Sequence, residues 1–168
     1  MNNGETMLIA YDGSDRADRA LEYAARLLRP TDVEILTAWE PSARQAARAV
    51  SRTGLHQSTV SPDSVEDDPA YEEALAICHR GIAKAESLGL RGHAHLVESV
   101  TTIQSAIVDA AHELDIDVIV TGTRALTGFR SLWNNSTAEY IVRNAGLPVF
   151  IVPPENDEED DDAAESHS

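Results

Sequence analysis

The sequence predicts an α/β protein: a three-layer α/β/α domain built on a five-stranded, parallel, doubly wound sheet. Three observations carry this. Short apolar runs alternate with amphipathic helical stretches along most of the chain. The runs are short enough to be buried on both faces, as the strands of a parallel sheet are. Cap and turn residues separate the two kinds of segment at nearly every junction.

Thr6–Asp12 (TMLIAYD) is an apolar run ending at the turn Asp12-Gly13-Ser14, and reads as a buried first strand. Asp15–Leu28 follows helical spacing, with Ala17, Ala20, Leu21, Ala24, Leu27 and Leu28 on one face. Ser14 can cap its start, and Pro30-Thr31-Asp32 ends it. Val33–Trp39 is a second strand. Glu40 to Asp68 has little periodicity and is rich in Ser, Thr, Asp and Arg, although Ser42–Val50 fits a helix. This excursion is either a lid or a solvated connection, and the connection is the preferred reading.

Pro69–Leu88 is a long amphipathic helix using Ala70, Ala74, Ile77, Cys78, Ile82 and Ala85, and Gly89 stops it. His93–Val100 alternates, with Ala94 and Leu96 on one side and His93 and His95 on the other, and reads as a third strand. Ile103–Leu114 is a helix and Asp117–Gly122 a fourth strand. A polar loop leads to a helix from about Ser136 to Asn144. Gly146-Leu147-Pro148 breaks it, Val149–Val152 closes the sheet, and Pro153-Pro154 prevents extension. Residues 1–154 form one domain, with no internal repeat. Residues 155–168 are an acidic tail expected to be disordered.

Of 168 residues, 42% are apolar, enough for a real core. No apolar run approaches a membrane span, and the N-terminus carries no secretory signature. A single cysteine, Cys78, excludes an internal disulfide. The expectation is a soluble cytoplasmic protein. Acidic residues number 29 and basic residues 13, a net charge of −16. Eight of the acids lie between Glu155 and Ser168, which leaves 21 acids against 13 bases in the body. Only one basic residue, Lys84, is lysine. Lysine depletion on an acidic surface favours adaptation to high salt over ordinary acidity. Non-specific nucleic-acid binding is disfavoured under either reading.

In open α/β sheets ligands bind beyond the carboxyl ends of the strands, where strand order reverses. Three places qualify: Asp12-Gly13-Ser14, Ala38-Trp39-Glu40, and the stretch from Gly122 onward. The last is the most informative. Gly122-Thr123-Arg124-Ala125-Leu126-Thr127-Gly128 is a Gly-bounded polar loop, and Asn135-Ser136-Thr137 begins a helix. Loop amides and a helix N-terminus together favour phosphate. Ser136 is equally a plain N-cap, and Gly122 a plain strand terminator. The residues alone leave the two readings balanced.

No catalytic constellation stands out. His93 and His95 share a strand face that suits a metal, but no acid or Cys partner is evident, so the metal reading is disfavoured. Cys78 reads as core, His79 and His112 as helix surface, and Trp39 as core or rim rather than a base-stacking platform. No GxxxxGK[ST] loop is present, which excludes a P-loop ATPase. The lone lysine lies far from the last strands, which argues against a receiver-type phosphoacceptor role for Asp12.

The segment GTRALTGFRSLWNNSTAEYIVRNAGLPVFIVP resembles the C-terminal signature of the universal stress protein family, and TMLIAYDGSDRADRALEYAARL resembles its opening strand and helix. The resemblance implies an adenine-nucleotide α-hydrolase-like (Rossmann-like) fold. It also implies a stress-response module that binds ATP, AMP or ADP, with Mg²⁺ as a companion and little or no hydrolysis. The family signature is Gly, two residues, Gly, nine residues, then Gly and Ser or Thr. Gly122 matches its first glycine and Ser136 its hydroxyl. Ala125 stands where the second glycine belongs, and Asn135 where the third belongs. Asn tolerates a left-handed backbone, whereas Ala125 adds a methyl where phosphate should approach.

Thr123 and Thr137 fall within the same implied site, Gly128 can supply slack, and Arg124 and Arg130 can add charge. Asp12 falls where the family places an acidic residue near the nucleotide or a hydrated Mg²⁺. Ala38 falls where backbone is offered to adenine. The family also implies a homodimer through the last strand, Pro148 to Val152. Ala125 and Asn135 support an alternative, a member without nucleotide binding that acts as an interaction or chaperone-like dimer. A hydrolase using residues 40–68 as a lid is a third and weaker reading.

Overall fold

β1 (Met7–Ala10), β2 (Asp32–Trp39), β3 (Arg91–Glu98), β4 (Val118–Gly122) and β5 (Val149–Val152) form one sheet in the order β3-β2-β1-β4-β5. Every strand pairing in it is parallel. The computed structural model describes residues 4–54, 64–123 and 136–155. The chain winds outward from β1 to β3, then returns past β1 to β4 and β5. Strand order therefore reverses between β1 and β4.

Strand alternation divides the core in two. Met7, Ile9 and Tyr11 of the first strand and its exit, with Val33 and Ile35, face α1 (Asp15–Tyr23) and α3 (Pro69–Ser87). Leu8, Leu36 and Ile119 turn the other way. They pack on Ile107 and Ala111 of α4 (Ile103–Glu113) and Ile141 of α5 (Thr137–Asn144). Leu8, Ile9, Ile35, Ile119 and Ile141 are all completely buried. Burying a side chain of this size stabilises the fold by roughly 1.5–3 kcal/mol. The predicted three-layer architecture is the one observed, and Cys78 is core, as expected. Among the described residues no helix is long and apolar enough to cross a membrane.

Beyond shifts of one or two residues at other element ends, three differences from the sequence reading stand out. The helix predicted over Asp15–Leu28 is α-helical only to Tyr23, and Ala24–Leu28 widen into a π-helical turn. The turn closes on Arg29, which is left-handed at φ 51° and donates its N–H to Ala24 O at 3.2 Å. Arg29 precedes Pro30, which disfavours right-handed helix at Arg29. β3 spans Arg91–Glu98, not His93–Val100, because Arg91 and Gly92 pair with Asp32 and Val33. Val100 is left 75% exposed beyond the strand. The described parts of the excursion after β2, residues 40–54 and 64–68, hold more regular structure than its composition indicates. α2 (Ser42–Thr53) occupies its first part and ends at Gly54, and a 3₁₀ turn, Val65–Asp67, leads into α3.

Candidate functional site

The reversal point sets the carboxyl ends of β1 and β4 side by side, in register Ile9↔Val120. β1 ends as its chain turns at Asp12-Gly13-Ser14. The Asp12 carboxylate makes that turn, accepting from Ser14 N–H at 3.0 Å and from the Ser14 hydroxyl. Ser14 in turn caps α1 by accepting from Ala17 N–H. Asp12 stays largely exposed, with Arg16 Nη2 4.0 Å from its second oxygen. Gly13 has φ +76°, and a Cβ there would lie 2.6 Å from the guanidinium of Arg80. The positive φ calls for glycine, whereas the Arg80 side chain can move aside.

Ala38 lies one strand over. Pairing of β1 with β2 stops at Ala10↔Leu36, and Tyr11 N–H donates to Leu36 O at 2.9 Å. In a parallel ladder alternate residues point to the same neighbour. The N–H and C=O of Ala38 therefore turn toward the side that β1 has already left. They face the crevice, a property its methyl side chain gives no hint of. The side chains of Ala10 and Ala38 share the α4/α5 face and are half-buried. Thr121 turns to the same face and is buried.

Gly122 has a packing role of its own. A Cβ there would come within 2.6 Å of Arg16 O, in the first turn of α1. Thr123 donates its N–H to Val152 O at 3.0 Å, so its amide is committed to the sheet. What Thr123 has to offer a ligand is its hydroxyl. Ser136 is the N-cap of α5, accepting from Glu139 N–H at 3.0 Å. A capping hydroxyl keeps its own hydrogen to donate. Thr137 is the first helical residue. Ser136 also borders a cleft of about 340 Å³ between the start of α4 and the length of α5, as far as Asn144. Thr102 and Gln104 form one wall of that cleft, and Glu139 and Arg143, an ion pair at 2.9 Å, lie on the other. Arg124, Ala125, Gly128, Arg130 and Asn135 lie outside the described residues.

Other candidates are resolved elsewhere. Trp39 is 7% exposed and packs edge-on against Tyr71, with ring centroids 5.4 Å apart. His93 and His95 do have acid partners, which the sequence did not reveal. His93 Nε2 lies 3.2 Å from Asp32 Oδ1, and His95 pairs with Glu34. Arg91 completes the ladder, 2.8 Å from Asp32. Hydrogen bonds from Arg91 and His93 hold the Asp32 carboxyl below the ordinary carboxylate range. The carboxylates come from β2, so only strand register could expose the pairing. The ladder occupies the amino-terminal half of β2 and β3, away from the crevice. Among the described residues no group of three or more His, Cys, Asp or Glu is arranged to hold a metal ion.

Sequence reasoning also missed Tyr11 and Thr102. Tyr11 is buried and its hydroxyl donates to Asp18 at 2.6 Å. Burial, then the Asp18 carboxylate, push its pKa well above the usual tyrosine value. Thr102 caps α4 reciprocally with Ser105. A Thr-x-x-Ser spacing before an apolar run was the available signal.

Residues 4–153 match the model of the universal stress protein family. The chain belongs to the universal stress protein family. A universal stress protein of Thermus aquaticus is 29% identical over 150 residues, covering 88% of this chain and 98% of that one. The structure of a universal stress protein from Archaeoglobus fulgidus in complex with dAMP matches with a TM-score of 0.58 at 22% identity, covering 90% of this chain and 99% of that one. A universal stress protein in complex with cAMP matches with a TM-score of 0.61 at 22% identity, covering 89% and 97%. The fold is thus the adenine-nucleotide α-hydrolase-like fold of these universal stress proteins.

Proposed function

We propose that this universal stress protein binds an adenine nucleotide, ATP or its mono- or diphosphate, in the crevice between β1 and β4, and acts as a dimeric stress-response module with little or no hydrolysis. What supports this is the unpaired backbone of Ala38 and the Asp12 turn at the carboxyl ends of neighbouring strands, together with a Ser136-capped helix in the segment that follows β4. The backbone of Ala38 suits an adenine edge, and the α5 N-terminus with the Ser136 hydroxyl suits phosphate. Relatives crystallised with dAMP and cAMP support the ligand class. Asp12 fits a hydrated Mg²⁺ held through water, since this ion takes one or two carboxylates plus phosphates. Arg124, Ala125, Gly128 and Asn135 complete the site on this reading.

Nucleotide content after denaturation tests it, together with calorimetry using ATP and AMP. Co-purified or titratable nucleotide is expected. Clean wild-type protein with no binding heat would refute it. That second result favours an interaction dimer without nucleotide, a reading to which the packing role of Gly122 and the committed amide of Thr123 already lend weight.

The dimer is proposed through β5, an edge strand whose Val149, Phe150 and Ile151 are only partly buried. An apolar edge of this kind needs cover. Sedimentation at tens of micromolar protein is expected to show a dimer, and a monomer there would exclude it. The same reading places the protein in the cytoplasm and attributes its acidity to a high-salt setting.

A further inference from the structure

α2 lies beyond the carboxyl ends of β2 and β3, and two of its arginines reach one short turn. Arg44 donates to Ser99 O and sits 3.7 Å from Glu98. One helical turn on, Arg48 Nη2 donates to Thr101 O at 2.9 Å. Residues four apart share a helix face, so both guanidiniums reach the same turn. Glu40 anchors the other end. Its carbonyl accepts from Gln45 at 2.7 Å, and its buried Oε1 has Arg48 Nε at 3.2 Å as charge partner, misaligned for a hydrogen bond. Ser99 is itself nearly fully buried and donates to Trp39 O at 2.7 Å.

The turn so held runs directly into Thr102, the N-cap of α4. Thr102 fixes the first turn of that helix by accepting from Ser105 N–H at 3.1 Å through its hydroxyl and from Ala106 N–H at 3.1 Å through its carbonyl. Thr102 and Gln104 then form the wall facing Ser136 across the cleft.

We infer that Arg44 and Arg48 are positioning residues: they lock the β3–α4 turn, and through Thr102 they set the wall against which the phosphate end of the nucleotide is held. This rests on the nucleotide reading for its ligand, while the mechanical link from α2 to α4 stands apart from it. α2 follows β2 directly, so a partner or modification that lifts it would loosen the ligand without touching it.

The test compares Arg48→Ala and the Arg44→Ala/Arg48→Ala pair with Arg52→Ala. The last removes the same charge from the same helix without reaching the turn. Amide hydrogen exchange at Ser105 and Ala106 reads the link directly, and calorimetry reads ATP affinity. Faster exchange at these two amides and affinity weaker by about three- to tenfold are expected for Arg48→Ala, with Arg52→Ala matching wild type. Unchanged exchange overturns the link. Faster exchange with unchanged affinity overturns the role toward ligand. A wild-type chain that binds no adenine nucleotide refutes the nucleotide reading, and exchange alone then decides the link. If the double variant unfolds, the single variant carries the comparison.

Discussion

The carboxylate of Asp68 accepts both the backbone N–H of Ser42, at 3.0 Å, and the Ser42 hydroxyl, tying the first residue of α2 to the cap of α3. The same carboxylate accepts from Ala70 N–H at 2.9 Å. One buried side chain thus closes the whole excursion between β2 and α3 at its base.

Asp68→Ala is expected to destabilise the protein by about 2–4 kcal/mol. The loss combines a helix cap, typically about 1 kcal/mol, with buried donors left unsatisfied. Urea denaturation measures it, and Asp68→Asn should recover part of the loss because an amide oxygen still accepts.

Acid should act through the same group. Burial pushes the Asp68 carboxyl up, but hydrogen bonds from the Ser42 hydroxyl and the Ala70 and Ser42 amides outweigh it and hold its pKa below the ordinary value. A depressed carboxylate contributes stability that is fully present above its unfolded pKa, about 4, and is lost as pH falls through the folded value. Stability should therefore decline below about pH 4, and less steeply in Asp68→Asn, when melting temperature is followed against pH.

Alkali should act through Tyr11. Its raised pKa means stability that is full below the unfolded tyrosine value, about 10, and lost as pH rises beyond it. Tyr11→Phe should lose about 1 kcal/mol at neutral pH, with the bond to Asp18, and flatten the alkaline limb. Chemical denaturation at pH 7 and pH 10.5 checks both.

Gly122→Ala separates packing from ligand. The added methyl would press on Arg16 O at 2.6 Å, so a destabilisation of about 1–3 kcal/mol is expected without any nucleotide present. Wild-type stability in the ligand-free variant would restore a purely ligand-facing role for this glycine.

Ser136→Asp divides the two roles of the α5 cap. Aspartate caps as well as serine and suits the helix dipole, so thermal stability should hold or rise. Its charge repels phosphate, so ATP binding should fall by at least about tenfold by calorimetry. Equal loss of both would mean that Ser136 acts only through folding.

The strands and most helix starts were legible in the sequence, because each depends on local periodicity and on caps such as Ser14, whereas the reversal between β1 and β4 is set by strand pairing. Asp12, Ala38, Gly122 and Ser136 were placed at the strand and helix ends where they are found. The contacts between segments were not legible. Asp68 and Ser42 stand 26 residues apart, and His95 meets Glu34 only because β2 and β3 align in one register. The availability of Ala38 comes from where its neighbour stops, a fact no single residue carries. Val100 joined an alternating run in sequence, yet the end of β3 is set by what β2 offers to pair with.

The two borders of the sheet are unlike. β3 offers charge, with Arg91, His93 and Glu98 exposed along it, whereas β5 offers a half-open hydrocarbon seam. A copy that joined at the seam would present only its own charged border outward. In the proposed dimer, growth by edge addition would stop after one step, short of a fibre.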